Sequence, residues 1–163
     1  MAKNKEEKTN VMRTLEQKKI AYTAHTYPHE EGVAVDGVTV AKSMGFDPAI
    51  VFKTLVARGA SKQYYVFDVP VAENLDLKKA AKAVGEKSIE MIHQKELLPL
   101  TGYVHGGCSP VGMKKLFPTV FHETAENLET MIVSAGKIGY QVELAPHDLA
   151  ALVRAKFADI IVE

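Results

Sequence analysis

Two glycine-rich segments, each following a short apolar stretch, restrict the fold and function of this chain more than any other feature. They cover residues 106–112 (Gly-Gly-Cys-Ser-Pro-Val-Gly) and 134–139 (Ser-Ala-Gly-Lys-Ile-Gly). Glycine has no Cβ, so the backbone can approach a ligand closely, and the N–H groups of a turn can point together at one oxygen. The chain lacks the G-x-x-x-x-G-K-[ST] and G-x-G-x-x-G patterns of nucleotide-binding loops. The two segments therefore predict a cradle for a different kind of ligand.

The composition predicts one globular domain that spans residues 1–163. A chain of 163 residues with 47% hydrophobic and 25% charged side chains is ordinary for a single soluble domain. Its one cysteine, Cys108, excludes an internal disulfide and fits a reducing compartment. The first ten residues, MAKNKEEKTN, do not resemble a signal peptide, and no segment approaches the ~20 apolar residues of a membrane span. We therefore expect a cytoplasmic protein without a membrane partner.

The charge balance limits how the protein can contact nucleic acid. The 20 basic and 20 acidic side chains give a formal net charge of zero. A domain that binds nucleic acid by itself usually carries a basic excess. We therefore expect no DNA binding, and contact with only a short part of any RNA or help from a partner protein. A neutral total is still compatible with a local basic patch.

Short helices and strands alternate along the whole chain. Hydrophobic periodicity and capping residues predict helices over 4–19, 38–44, 77–84, 94–98 and 146–154. Short apolar or alternating runs predict strands over 21–27, 51–58, 63–70, 89–92, 103–105, 119–122, 130–134, 140–144 and 159–162. Strict βαβ alternation with long crossovers is missing. The pattern predicts an α+β fold with a mixed, mostly antiparallel sheet that is curved or barrel-like, with helices around it.

Lys53 is the least expected residue in a predicted strand. In the run Val51-Phe52-Lys53-Thr54-Leu55 it shares a strand face with apolar residues. An ammonium group is costly to desolvate without a partner, so one interpretation is an edge strand from which the side chain reaches water. The other interpretation is a cation that points into a pocket and binds a phosphate or a developing oxyanion.

Cys108 has two interpretations as well. It could be a nucleophile with His105 or His122 as its base, but a buried free cysteine is more often a small apolar filler. Metal binding is not expected, since Pro28 keeps His25 and His29 off one helix face and no Cys/His cluster exists.

Five motifs together resemble the YbaK/EbsC proteins, which are free-standing relatives of the editing domain inserted in bacterial prolyl-tRNA synthetase. They are HTYPH at 25–29, FKTL at 52–55, GGCSPVG at 106–112, VSAGK at 133–137 and VELAP at 142–146. The set covers nearly the whole chain in the right order. The resemblance implies a mixed-sheet fold and aminoacyl-tRNA editing in trans, chiefly removal of cysteine from proline tRNA, Cys-tRNA(Pro), with Cys-tRNA(Cys) as a second substrate.

The family pattern also assigns roles to residues. Lys53 matches the family's essential lysine, which would bind the phosphate or ribose at the acceptor end. The loop from Gly106 to Pro110 matches a Gly-x-x-x-Pro loop whose backbone N–H groups would hold the aminoacyl group or the ester carbonyl. Together the resemblance implies catalytic roles for Lys53, Gly106 and Gly107, and substrate-binding roles for Tyr27, Cys108, Ser109, Pro110, Ser134 and Gly136. Ala135 and Ile138 depart from the glycine and arginine that are usual there, and the second change would remove a contact to the tRNA backbone.

The chemistry that the resemblance implies needs no cofactor and no metal. The substrate's own thiol would attack its ester carbonyl and release the tRNA, while the enzyme orients the ester and stabilises the oxyanion. Prolyl-tRNA synthetase is the partner that the family suggests. Three alternatives stay open: a deacylase for another amino acid such as alanine, a non-enzymatic regulatory or binding protein, and a thiol hydrolase that uses Cys108.

Overall fold

The computed structural model describes residues 8–30 and 32–163. Its helices within these ranges are α1 (Asn10–Gln17), α2 (Gly37–Ser43), α3 (Leu77–Val84), α4 (Gln94–Thr101) and α5 (Pro146–Val153), with 3-10 turns at Pro48–Ile50 and Glu123–Asn127. Its strands are β1 (Thr23–Thr26), β2 (Phe52–Gly59), β3 (Tyr64–Pro70), β4 (Ile89–Met91), β5 (Thr119–His122), β6 (Met131–Ser134), β7 (Tyr140–Leu144) and β8 (Ala155–Ala158). No helix within these ranges has the length and apolar character needed to cross a bilayer.

The strands form two open sheets. The larger has the order β4-β2-β3-β5-β8, with antiparallel pairs around β2 and parallel pairs from β3 to β8. The smaller has the antiparallel order β1-β7-β6. A parallel bridge between Val51 and Ile132 joins the start of β2 to β6. The predicted α+β fold with a mixed, mostly antiparallel arrangement is confirmed, although neither sheet closes into a barrel.

The main core lies between the two sheets. Phe52 and Phe121 of the larger sheet pack in one buried cluster with Val133 and Val142 of the smaller sheet. Leu15 of α1 belongs to the same cluster, together with Val11 and Met12 of that helix. Burying such side chains removes apolar surface from water at about 25 cal/mol per Å². This packing holds the start of β2 against β6 and β7.

Local capping explains where the helices begin and end. The Asp76 side chain accepts hydrogen bonds from the N–H groups of Lys78 and Lys79 and starts α3, which Gly85 ends with a φ of 74°. The side chain of Thr9 accepts from the N–H of Met12, so α1 starts at residue 10. The predicted helix over 4–19 is therefore shorter at its start, and its residues 4–7 lie outside the described part of the chain.

Two predicted strands are wrong. Residues 103–105 form turns instead, because the Tyr103 N–H donates to Thr101 Oγ1 and the Val104 carbonyl accepts from the Gly107 N–H. The last strand lies at 155–158 rather than 159–162. Arg154, at a φ of 59°, ends α5 and turns the chain directly into β8.

Candidate functional site

A cavity of about 530 Å³ opens where the start of β2 meets both glycine-rich segments. Five of the residues predicted for the site line it: Tyr27, Lys53, Gly106, Cys108 and Ser134. Four others, Gly107, Ser109, Pro110 and Gly136, do not line it. The fold therefore collects the lysine, the cysteine and both glycine-rich segments around one space.

The two glycine-rich segments touch each other directly. A Cβ placed on Gly107 would lie 3.1 Å from the backbone nitrogen of Ile138 and 3.3 Å from the Cα of Lys137. Gly106 has a φ of 89°, and a Cβ there would lie 2.7 Å from the Cβ of Ala34. Glycine at 107 lets the two backbones meet, whereas 106 favours glycine because of its positive φ and the nearby Ala34 side chain. The contact makes the two segments one wall of the cavity.

The backbone N–H groups in this wall differ in what they bind. The N–H of Gly107 donates to the Val104 carbonyl at 3.0 Å. Within residues 8–30 and 32–163, the N–H groups of Gly106 and Cys108 have no hydrogen-bond acceptor. Both residues line the cavity. Free donors beside a cavity are suited to a carbonyl oxygen that gains negative charge.

Lys53 is half-buried and lines the cavity. No carboxylate among the described residues comes within ion-pairing distance, 4.0 Å, of its Nζ, and none of them hydrogen-bonds to it. Burial lowers the pKa of the ammonium, while the more distant charges of Asp36 and Glu73 oppose that change. Asp36 also lines the cavity and caps α2 through the Thr39 N–H, at 3.1 Å. The result is a partly desolvated cation available to an anionic or oxygen-rich ligand.

The thiol of Cys108 is poorly suited to nucleophilic attack. Burial, and then the negative charge of Asp68, raise its pKa to about 12. No hydrogen bond joins its sulfur to His105 or His122. His105 lines the cavity, but the Nδ1 of His122 accepts the Ile160 N–H at 3.3 Å in the core. Nucleophiles need the thiolate form, so the geometry favours the cysteine as an apolar wall residue.

The other predicted residues hold the wall in shape. Ser109 is fully buried, and its Oγ accepts the Val111 N–H at 3.3 Å. The Oγ of Ser134 accepts the Gly136 N–H at 3.1 Å and so fixes the second segment at the cavity edge. Tyr27 is buried, and its N–H donates to the Gly139 carbonyl at 2.9 Å.

Sequence reasoning missed a buried polar pair behind the cavity. Thr54 lines the cavity, and its hydroxyl donates to Oδ1 of the fully buried Asp68. Oδ2 of Asp68 has no partner within the described residues, and burial raises the pKa of this carboxyl to about 7. Gln141 also lines the cavity, and its buried Oε1 has no hydrogen-bond partner in the described part of the chain. An aspartate inside the apolar run Val66-Phe67-Asp68-Val69 was the available signal for the pair.

The described ranges, 8–30 and 32–163, contain no group of three or more His, Cys, Asp or Glu side chains placed to hold a metal ion. His25 instead binds Oε1 of Glu143 through Nε2 at 2.8 Å. This contact ties β1 to β7 and supports the strand that leads to Tyr27.

Comparison with known proteins gives one matching family. The family described as the aminoacyl-tRNA editing domain matches residues 32–152, which contain both glycine-rich segments and Lys53.

Individual relatives agree with this match. A curated protein of Enterococcus faecalis (strain ATCC 700802 / V583), named as a candidate Cys-tRNA(Pro)/Cys-tRNA(Cys) deacylase EbsC, is 46% identical over 98% of both chains. A solved structure described as a candidate trans-editing enzyme for prolyl-tRNA synthetase has a TM-score of 0.79 at 24% identity, covering 94% of each chain. A hypothetical protein with 18% identity has a TM-score of 0.82 and covers 93% of this chain and 99% of its own. The two structures are similar to this chain in fold.

Proposed function

Because the chain belongs to the aminoacyl-tRNA editing domain family, we propose that it is a free-standing deacylase that removes cysteine from Cys-tRNA(Pro) and Cys-tRNA(Cys). The EbsC relative carries these substrates in its name, and it matches this chain over nearly its full length. The family match covers every residue that lines the cavity except Tyr27.

One observation carries the proposal: Lys53, Gly106 and Cys108 line one cavity, and the N–H groups of the two loop residues have no acceptor within residues 8–30 and 32–163. An aminoacyl ester has two features that such a cavity can hold, a ribose-phosphate end and a carbonyl oxygen. The cation suits the first, and the two N–H groups suit the second. A single oriented donor to a developing oxyanion contributes about 2.7–4 kcal/mol to transition-state stabilisation.

In the proposed reaction the substrate supplies its own nucleophile. The sulfur of the cysteinyl group forms a bond to the ester carbonyl carbon, and the bond from that carbon to the ribose 3′ oxygen breaks. The thiol proton ends on the released 3′ hydroxyl, so the products are tRNA and a cyclic thiolactone. The cavity wall holds sulfur and carbonyl close together, and such orientation can contribute roughly 7–11 kcal/mol.

Each predicted residue has a place in this scheme. We assign the phosphate or ribose contact to Lys53 and the carbonyl contact to the Gly106 and Cys108 N–H groups. The N–H of Gly107 already binds Val104, so its role is to let the two segments meet. Tyr27 and Ser134 also line the cavity, and we assign them the contact with the aminoacyl group.

The remaining predicted residues support that wall from behind. Ser109, Pro110 and Gly136 keep the two glycine-rich segments in position. No cofactor or metal is part of the scheme.

The proposed partners are aminoacyl-tRNA and prolyl-tRNA synthetase. One solved structure of similar fold is described as a candidate trans-editing enzyme for that synthetase. A formal charge of zero gives the protein little long-range attraction to RNA, so a synthetase that presents the tRNA would raise the editing rate. These partners act in the cytoplasm, where we place the protein.

The test is deacylation of a panel of tRNAs that carry cysteine, serine, alanine or proline. We expect fast release from the cysteinyl esters and strong loss of that activity in Lys53→Ala. Selective cleavage of alanyl-tRNA instead would identify a deacylase of another specificity. No cleavage of any member, by folded protein with or without prolyl-tRNA synthetase, would favour a binding or regulatory role.

A further inference from the structure

A second hollow, of about 400 Å³, lies beside the cavity. Ser134 lines the cavity, whereas the next three residues of the chain line the hollow. One glycine-rich segment therefore separates the two spaces. The lining contains no acidic residue and four basic ones, Lys8, Arg13, Lys114 and Lys137. We call these four residues and the hollow between them the basic cleft.

All four basic side chains of the cleft are exposed. Arg13 donates to the amide oxygen of Asn10 at 3.0 Å, and Lys114 donates to the Pro99 carbonyl at 3.2 Å, so both contact uncharged oxygens. Lys8 pairs with Glu16 at 3.1 Å. The cleft therefore keeps a local positive charge on a protein whose formal net charge is zero.

We propose that the basic cleft binds the phosphodiester backbone of the tRNA acceptor strand while the aminoacylated 3′ end occupies the cavity. This inference rests on the proposed function. The aminoacyl ester lies at the end of a polyanionic RNA chain. When the ester occupies the cavity, the neighbouring phosphates must therefore lie on the protein surface beside it. The cleft adjoins the cavity, and its positive charge is opposite to that of the phosphates.

The second glycine-rich segment, which separates the cavity from the cleft, packs closely against Tyr103 and α1. Gly136 has a φ of 92°, and a Cβ at this position would lie 3.0 Å from the Tyr103 ring and 3.1 Å from the Val11 side chain. These contacts fix the position of the wall that the cleft shares with the cavity. The basic side chains come from α1 and the residues just before it, from the residues after the first glycine-rich segment and from the second segment, so they surround the cleft.

The test uses a fluorescent RNA hairpin that carries an acceptor stem and an unpaired CCA end, with binding followed by anisotropy. The cleft variant combines Lys8→Gln, Arg13→Gln and Lys114→Gln. The control combines Lys78→Gln, Lys82→Gln and Lys87→Gln. These three lysines are exposed and lie on or just after α3, and their substitution removes the same amount of charge. We expect at least tenfold weaker binding by the cleft variant at low salt and less than twofold change in the control. The slope of log affinity against log salt should become shallower by about 2, since each single-strand phosphate contact contributes about 0.7.

Several results would overturn the inference. Equal losses in both variants would indicate a general charge effect, and unchanged RNA affinity in the cleft variant would exclude the cleft. Unchanged RNA affinity with lost association to prolyl-tRNA synthetase would assign the cleft to a protein partner. If the triple variant fails to fold, Lys114→Gln alone is compared with Lys87→Gln, with a threefold loss of affinity expected only for the first.

A cysteinyl ester of adenosine, which lacks the upstream phosphates, separates this inference from the proposed function. Wild type and cleft variant should cleave it at equal rates. A lower rate for the variant on this small ester would mean that the substitutions disturb the cavity, and would overturn the inference. Wild-type protein that binds the hairpin through the cleft but cleaves no ester would contradict the proposed function alone.

Discussion

The hydroxyl of Thr54 donates a hydrogen bond to Oδ1 of Asp68 over 2.5 Å, and this pair connects the cavity wall to a fully buried carboxyl group. Thr54 follows Lys53 in β2, and Asp68 lies directly opposite it in β3. With its proton directed at Asp68, the hydroxyl presents only acceptor lone pairs to the cavity. Such an acceptor suits a donor group of the substrate, such as an α-ammonium or a ribose hydroxyl.

Asp68→Asn should change how stability depends on pH. Burial raises the Asp68 pKa from 3.8 to about 7, so between these values the folded protein holds a proton that the unfolded chain releases. The free energy of unfolding therefore falls as pH rises through this range, by at most roughly 4 kcal/mol. Asparagine cannot titrate, so the stability difference between wild type and variant should shrink from pH 5 to pH 8. Urea unfolding at both pH values measures it.

Asp148→Asn is the matched control, because this carboxyl is exposed in the first turn of α5. In this variant the free energy of unfolding should depend on pH in the same way as in the wild type. If the stability difference between wild type and Asp68→Asn is constant over this pH range, the raised pKa of Asp68 is contradicted. Cys108 also interacts with the charge of Asp68, and its pKa of about 12 keeps it outside this window.

Lys53→Met should lose activity without losing stability. The ammonium is half-buried and has no ion pair within 4.0 Å among the described residues, so removing it does not cost the fold a strong contact. Loss of a charge-assisted hydrogen bond of about 1.5–3 kcal/mol corresponds to a rate decrease of about tenfold to about 150-fold. Thermal unfolding and kcat/KM on Cys-tRNA(Pro) measure the two effects. Wild-type rates in the variant would remove the lysine from the mechanism.

Lys53 should also set the alkaline limit of activity. Burial lowers its pKa, so the cation loses its proton at a lower pH than an exposed lysine does. Activity that needs the protonated form therefore falls as pH rises through that value. Lys53→Arg keeps the charge to higher pH and should move this limb upward, whereas an unchanged limb would mean that another group titrates.

The strand hairpin shows how far sequence reasoning reaches. The sequence predicts strands over 51–58 and 63–70 with a turn between them, and the structure confirms this hairpin. The turn pairs Arg58 with Tyr64, and counting back along both strands places Thr54 opposite Asp68. The predicted strand bounds would instead pair residue 58 with 63 and place Thr54 opposite Phe67, so this register comes from the structure, and the apolar run around Asp68 was the available signal in the sequence.

The cavity wall and the basic cleft could not be predicted in the same way. Gly107 and Ile138 touch because two loops meet in space, and no local pattern specifies that meeting. The cleft combines Arg13, Lys114 and Lys137 from three separate segments. The predicted strand over 103–105 failed because side-chain and turn hydrogen bonds there replace a strand ladder.

Gly106→Ala should damage the site more than a change at an equally strained but open position. Alanine at 106 would meet both a φ of 89° and the Cβ of Ala34 at 2.7 Å. Gly45 has a φ of 76° and nothing within 4 Å of a Cβ, so Gly45→Ala carries the backbone strain alone. We expect about 1–2 kcal/mol of destabilisation from strain in both variants and a large loss of deacylation only at 106. Similar activity in the two variants would contradict the proposed wall.

Cys108→Ala should keep most of the activity. The raised pKa of about 12 leaves the thiol protonated near neutral pH, and neither His105 nor His122 hydrogen-bonds to it. The variant tests the thiol-hydrolase alternative directly through kcat on Cys-tRNA(Pro). Complete loss of turnover by a folded Cys108→Ala protein would restore that alternative, and fast alkylation of the wild-type thiol at pH 7 would support it.

The substrate's own thiol should decide which esters are cleaved. Cysteinyl and seryl esters differ only in sulfur for oxygen, so they fit the cavity of about 530 Å³ nearly equally. A thiol forms its nucleophilic anion far more readily near neutral pH than a hydroxyl does. Cys-tRNA(Pro) should therefore be cleaved much faster than Ser-tRNA(Pro), and a thiolactone should be trapped before free cysteine appears. Equal rates on the two esters, or free cysteine as the only early product of rapid trapping, would mean that water or an enzyme group attacks the ester.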